Sequence, residues 1–337
     1  MKRLEEFSKF ISTEPKKIVI TTHANADADA LGSSLALYDL LSEFSHDVNI
    51  ILPNHIPDYL SWMRGDSSIY IFDSDEIETC RSLINSSEVI FCLDFPALAR
   101  LKKMEETVRI CKATKILIDH HLNPETFAHL TLSDISAAAT AEIIFELIRK
   151  SDFEDFITPR MANMIFAGIL TDTGSFKHPS TTSKIHRIAA DLIDKGANSS
   201  LINTYIYDNN SVDRLRFMGN AFLNRMVVKK DLRIAYFIIY KEDFENFRLK
   251  SGDTEGLVNY ALSIHGIEVA SILLELPNEV KLSFRSSGEY SVNTFASKYF
   301  NGGGHKNASG GCSDLSIQAT IVKFETLIKD FVFFQKL

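Results

Sequence analysis

Along the first half of the chain, short apolar runs alternate with longer stretches whose apolar positions recur at helical spacing. That alternation predicts α/β structure: a parallel sheet with helices packed on its faces. The expected strands are Lys17–Thr22 (KIVITT), 48–52 (VNIIL), Val89–Leu93 (VIFCL) and 115–118 (KILI). Helices are expected over 31–44, 137–150 and 159–171, the last with Thr158 as N-cap and Pro159 at its first position.

From about 183 to 224 the pattern is helical with polar interruptions, and 208–211 (DNNS) reads as a break or hinge. A second α/β region follows, with strands expected over 232–240, 268–276 and 280–285 and a helix near Val292–Tyr299. The run Gly302-Gly303-Gly304 leads into a strand near 308–312 and a last helix near 317–333. The Phe-rich tail from Phe331 to Phe334 is read as that helix packing on its own domain. The expected division is a first domain over 1–190, a helical linker over 191–225 and a smaller α/β domain over 226–337.

With 337 residues, 45% hydrophobic and 24% charged, the chain has globular composition and enough length for two domains. No window approaches the roughly 18 consecutive apolar residues of a membrane span. The opening MKRLEEFSKF lacks an apolar signal segment. Cys80, Cys92, Cys111 and Cys312 form no CxxC pair, so reduced thiols in a cytoplasmic protein are expected. A net charge of −8 argues against a broad basic face for long nucleic acid. It leaves room for a small anionic substrate, because bound cations reverse the field locally.

The chemistry concentrates where strands end. KIVITT is followed by His23, Asp27 and Asp29, Val89–Leu93 by Asp94, and KILI by Asp119-His120-His121. Asp172 stands at the end of a predicted helix, before Gly174. Taken singly, each has an ordinary reading as a cap, a turn acid or a structural histidine. Together they gather at the edge of a parallel sheet where ligands bind. Mixed carboxylates and imidazoles suit manganese better than a thiolate-seeking metal. A pair of ions in such a site clamps the attacking and leaving oxygens of an in-line displacement.

These segments, in this order, resemble the DHH phosphoesterase superfamily, through His23, Asp27 and Asp29 (HxxxDxD), Asp94, Asp119-His120-His121 and Asp172. Ala26 stands where many members have proline, which bears on loop rigidity and leaves the ligands in place. The second domain resembles the associated DHHA1 type through Ser283-Phe284-Arg285-Ser286 and Gly302-Gly303-Gly304-His305. The match is nearest to the branch of oligoribonucleases that also dephosphorylate 3′-phosphoadenosine 5′-phosphate.

The resemblance implies two Mn2+ ions, with Mg2+ or Co2+ as substitutes. His23, Asp27 and Asp94 would hold one; Asp29, Asp94, His120 and Asp172 the other; Asp94 would bridge. Asp119 is expected to orient His120 or otherwise brace the centre, and His121 to touch the phosphate or protonate the leaving oxygen. Arg285, Gly302, Gly303, Gly304 and His305 are the expected substrate anchors, the planar guanidinium and exposed glycine amides both suiting phosphate. The expected substrates are short RNA, cut to mononucleotides, and the 3′,5′-bisphosphate. No membrane or long nucleic acid is expected as a partner, and a homodimer is open to the chain. The alternatives are a phosphodiesterase for cyclic or linear signalling dinucleotides, an exopolyphosphatase, and a non-catalytic nucleotide-binding protein.

Overall fold

The computed structural model describes residues 14–250 and 252–334 together with positions 7, 10 and 11, and side chains as far as Phe331. The chain forms two compact units, Met1–Asn209 and Asn210–Leu337.

In chain order the first unit contains β1 (Lys17–Thr22), α1 (Ala28–Glu43), β2 (Asp47–Leu52), β3 (Ile69–Ile71), α2 (Ile77–Ser86), β4 (Val89–Leu93) and α3 (Glu105–Ile110). It continues with β5 (Thr114–Asp119), β6 (Leu130–Ser133), α4 (Thr140–Lys150), α5 (Pro159–Asp172), α6 (Ser183–Asp194) and α7 (Ser199–Tyr207). Its sheet runs β3-β2-β1-β4-β5-β6, with every neighbouring pair parallel. The chain lays β2 and β3 on one side of β1, then crosses to place β4 on the other. The sheet therefore changes direction of growth between β1 and β4, where the crossovers leave a crevice at the carboxyl edge.

The apolar runs serve both faces. Ile18 and Ile20 join a core with α1, α4, α5 and α6, while Val19, Ile90, Cys92 and Leu117 join another with Cys80, Ile84 and Val108. That two-sided burial explains the near-continuous apolar strands. The four cysteines are free thiols, three of them buried.

Helices α1, α4 and α5 approach closely at two glycines. A Cβ on Gly32 would run into the Met164 carbonyl of α5. One on Gly168 would come within 2.8 Å of both Asp29 Oδ1 and the Ala141 Cβ.

Two helix starts differ from the sequence expectation. Helix α1 begins at Ala28 because Asp27 caps it, its Oδ1 accepting from the amides of Asp29 (3.1 Å) and Ala30 (3.0 Å). Helix α4 begins at Thr140, since Ala137 closes a turn on the Asp134 carbonyl and Ala139 is extended. The strands β3 and β6, short or half-buried at the sheet edges, carry too little apolar pattern to be seen in the sequence.

The second unit comprises α8 (Val212–Asn220), β7 (Met226–Lys229), β8 (Ile234–Ile239), α9 (Lys241–Asn246), α10 (Leu257–Leu262), β9 (Val269–Glu275) and β10 (Val280–Ser286). Then come α11 (Val292–Tyr299), β11 (Gly303–His305), β12 (Ala308–Ser313) and α12 (Ile317–Phe334). Its sheet runs β11-β12-β10-β9-β8-β7, antiparallel except for the β8–β9 pair. Phe331 packs on this unit's core; the Val332, Phe333 and Phe334 side chains lie outside the described residues. The stretch expected as a linker divides between the units. Leu192 and Ile202 are buried in the first core, and Phe217, Met218 and Ala221 in a second-unit core.

Because α5 lies directly on Gly32, Gly32→Ala should destabilise the protein by about 1–3 kcal/mol through overpacking. Chemical denaturation checks this; an unchanged midpoint and slope would contradict the close helix contact.

Candidate metal centre

Strand β1 hands directly to His23, whose Nδ1 lies 2.9 Å from the Ala24 carbonyl. With Nδ1 donating, Nε2 carries the lone pair that a metal could take, and it faces Asp94 Oδ2 at 3.4 Å and Asp27 Oδ2 at 3.8 Å. His120, following β5, repeats the arrangement: Nδ1 is 3.4 Å from the Ala137 carbonyl, and Nε2 is 3.4 Å from Asp94 Oδ1. Its Nε2 also lies 3.3 Å from Asp172 and 3.9 Å from Asp29. Imidazoles braced through one nitrogen on a carbonyl, with the other turned to carboxylates, are what metal ligation requires.

Between them sits Asp94, at the end of β4. Its φ of 64° is left-handed, a conformation aspartate tolerates better than most residues, and its amide donates to the Ile118 carbonyl on β5. The turn sends one oxygen toward His23 and the other toward His120. Asp27 divides its carboxylate in a similar way: Oδ1 caps α1, and Oδ2 faces His23. Capping α1 therefore leaves the second oxygen of Asp27 turned toward the cluster.

Asp29 is fully buried. Its Oδ2 accepts from the Thr140 amide at 2.6 Å and its Oδ1 from the Ala141 amide at 2.8 Å. The Thr140 hydroxyl donates to Asp94 Oδ1 at 2.9 Å. Asp172, at the last position of α5, completes the second group. Ligand atoms of His23, Asp27 and Asp94 lie within 4.8 Å of one another, as do those of Asp29, His120 and Asp172 and those of Asp94, Asp119 and His121.

Asp119 binds His121 rather than His120: its Oδ1 lies 2.8 Å from His121 Nδ1, which revises the expectation that it orients His120. The reason is local, because the Ala137 carbonyl already meets His120 Nδ1. Asp119 Oδ2 is buried with no hydrogen-bond partner among the described residues. The two imidazoles pack edge to face with centroids 4.7 Å apart.

Without ions the cluster strains against its own charge. Burial raises Asp29 well above the ordinary carboxylate range, and the charges of Asp94 and Asp172 push it further. Asp172 is raised likewise, by burial and then by Asp27. Asp94 goes the other way: burial opposes its charge, but hydrogen bonds from His120 and His23 outweigh it and hold its pKa well below the usual range. Burial draws His120 down, yet hydrogen bonding to Asp94 and the surrounding carboxylates carry it up to about 11.

In the second unit, Arg285 and His305 both pair with Ala308, so they occupy one row across β10, β12 and β11. With strands about 4.8 Å apart, that row puts them on one face roughly 10 Å from each other. The glycine run is no open loop. Gly303–His305 forms edge strand β11, and the Gly302 amide donates to the Ala296 carbonyl. A Cβ would collide with the Gly310 carbonyl at Gly302 and come within 2.6 Å of the Ala308 carbonyl at Gly304. Among the described residues, nothing lies within 4 Å of one at Gly303. Sequence reading missed Thr140; the signal was a helix starting after Ala137-Ala138-Ala139 with no residue able to cap it.

Folding should therefore favour a protonated His120 while the protein is metal-free. That contribution is present in full below about pH 6.5, the unfolded value, and is lost as pH rises toward 11. Chelator-treated protein should melt progressively lower across this window, and divalent metal, which needs the neutral imidazole, should bind more tightly over the same range. Calorimetric melting and titration at several pH values check both; a flat profile would contradict the charge assignment.

Residues 17–169 match the DHH family, N-terminal domain, and 232–330 match the DHHA1 domain. The chain is 30% identical over 295 residues to the Bacillus subtilis bifunctional oligoribonuclease and PAP phosphatase NrnA, covering 87% of this chain and 88% of that one. The Thermus thermophilus protein of the same name is 28% identical over 298 residues, with 87% and 83% covered. An exopolyphosphatase-related protein from Bacteroides fragilis superposes with a TM-score of 0.93 at 37% identity, covering 100% of this chain and 98% of that one. RecJ of Thermus thermophilus, solved with Mn2+, shares the fold at 12% identity and a TM-score of 0.57, covering 98% of this chain and 55% of that one. The ordered acid and histidine motifs, the sheet that gathers them and both domain matches lead to one conclusion: the chain belongs to the DHH family of metal-dependent phosphoesterases and carries a DHHA1 domain.

Proposed function

We propose that this protein is a manganese-dependent, two-metal hydrolase that cuts short oligoribonucleotides to mononucleotides and removes the 3′-phosphate from 3′-phosphoadenosine 5′-phosphate. The observation that carries the reading is the Asp94 carboxylate, 3.4 Å from His23 on one side and 3.4 Å from His120 on the other. Such a carboxylate is built to be shared. His23 and Asp27 would hold one ion with it, and Asp29, His120 and Asp172 the other. When bound, the ions supply Lewis acidity for in-line attack of water on phosphorus.

The residues of the chain then have separate duties. Asp119 holds His121 through Nδ1, and His121 protonates the leaving oxygen. Arg285 and His305, sharing a face, take the substrate's phosphates. Gly302 and Gly304 are accounted for by the sheet, whereas nothing in the fold excludes a side chain at Gly303. A glycine there suits close approach of a ligand to the backbone of an edge strand. The net charge of −8 supports a short substrate over a long one. The relatives named as oligoribonuclease and PAP phosphatase point the same way. Polyphosphate is the second reading, favoured by the name of the Bacteroides fragilis neighbour.

The test is release of mononucleotide from a 5′-phosphorylated diribonucleotide with Mn2+, beside the bisphosphate and polyphosphate. Wild-type cleavage of the first two, lost in Asp94→Asn, is expected; turnover of polyphosphate alone would overturn the substrate assignment. His121→Ala should lower kcat by about 10²–10⁴-fold while Mn2+ still binds by calorimetry, and an unaffected kcat would remove His121 from the chemistry. Gly303→Ala should keep the wild-type melting temperature yet raise KM several-fold; an unchanged KM would argue that no ligand passes over this glycine.

A further inference from the structure

Helix α4 starts with a fault that the structure repairs from elsewhere. Its N-cap position is Ala139, which has no side-chain acceptor, so the first amides of the helix would go unsatisfied. Asp29, more than a hundred residues away, takes the amides of Thr140 and Ala141 on its two oxygens. Thr140 itself is fully buried. Its hydroxyl reaches across to Asp94 Oδ1 at 2.9 Å. One residue thus holds two carboxylates, Asp29 through its amide and Asp94 through its hydroxyl.

We propose that Thr140 is a positioning residue for the metal centre, whose hydroxyl and amide together fix the rotation and separation of Asp94 and Asp29. The inference rests on the reading of those two carboxylates as ligands. The path between the two donors is a few covalent bonds of one side chain anchored in a helix, so the spacing it imposes is stiff. Asp94 Oδ1 also has His120 at 3.4 Å and His121 at 3.8 Å. The hydroxyl is the shortest of these contacts and the one that decides which way the carboxylate turns. On the other side α5 passes close by at Gly168, where an added Cβ would come within 2.8 Å of Asp29 Oδ1. The same segment steadies His120, since the Ala137 carbonyl meets its Nδ1 and the Ala138 amide is held by Glu142 at 2.6 Å.

The experiment compares metal-free wild type, Thr140→Val, Thr140→Ser and Asp94→Asn, titrated calorimetrically with MnCl2 alone. Melting temperatures of the metal-free proteins and the electron paramagnetic resonance of bound Mn2+ accompany it. Valine keeps the shape and removes the donor; serine keeps the donor. Thr140→Val should lose roughly 10–100-fold in Mn2+ affinity, and the spectrum should lose the coupling between paired ions. Thr140→Ser should recover both, and Thr140→Ala replaces the valine chain if that chain does not fold. Wild-type affinity and coupling in Thr140→Val, with Asp94→Asn impaired, would overturn the positioning role. So would a serine variant as weak as the valine one. Wild-type binding in Asp94→Asn would overturn the ligand reading beneath it, and the inference with it.

Discussion

Asp94 sits on the strand between those that deliver His23 and His120, so parallel pairing of β1, β4 and β5 places a carboxylate between two imidazoles without any long loop. Everything else in the centre is arranged around that contact. The left-handed turn at Asp94 aims the carboxylate, the backbone carbonyls of Ala24 and Ala137 meet the imidazoles, and the Thr140 hydroxyl donates to Asp94. A site assembled on strand ends inherits the rigidity of the sheet. Its cost is electrostatic, since the acids so gathered are buried where their charges repel.

The fold manages that cost by using helix starts. Asp27 caps α1, and Asp29 caps α4, so each carboxylate is held by backbone amides that also favour its negative charge. Local structure and the site are therefore not competing explanations for these acids. The same hydrogen bonds that begin two helices orient the carboxylates of the centre.

Much of this was legible in the sequence. Strands buried on both faces announce themselves as unbroken apolar runs, and the family motifs stand at their ends. The edge strands β3 and β6 were not visible, because a three-residue strand and a half-buried one have no pattern to detect. The sequence pattern starts α4 three residues early, since three alanines read as helix and the cap lies far away in sequence. For the same reason Thr140 went unnoticed: its partners, Asp29 and Asp94, are neighbours only after folding. The glycine run was recognised as special, but its strand pairing with β12 follows from register, which composition does not reveal.

The order of strands in the sheet also sets an order of events. A chain made from its N-terminus presents His23, Asp27 and Asp29 first, yet β1 then finds β2 and β3 on one side only. The strand bearing Asp94 arrives later and must slot in on the opposite side, and β5 with His120 must follow it. Until α4 is made, Asp29 has no amides to hold, and until α5 ends there is no Asp172. A chain made only just beyond β5 thus holds Asp29 and His120 without Asp172, the third member of their group. Only once the last turn of α5 is made do Asp29, His120 and Asp172 stand together, with His120 also facing Asp94.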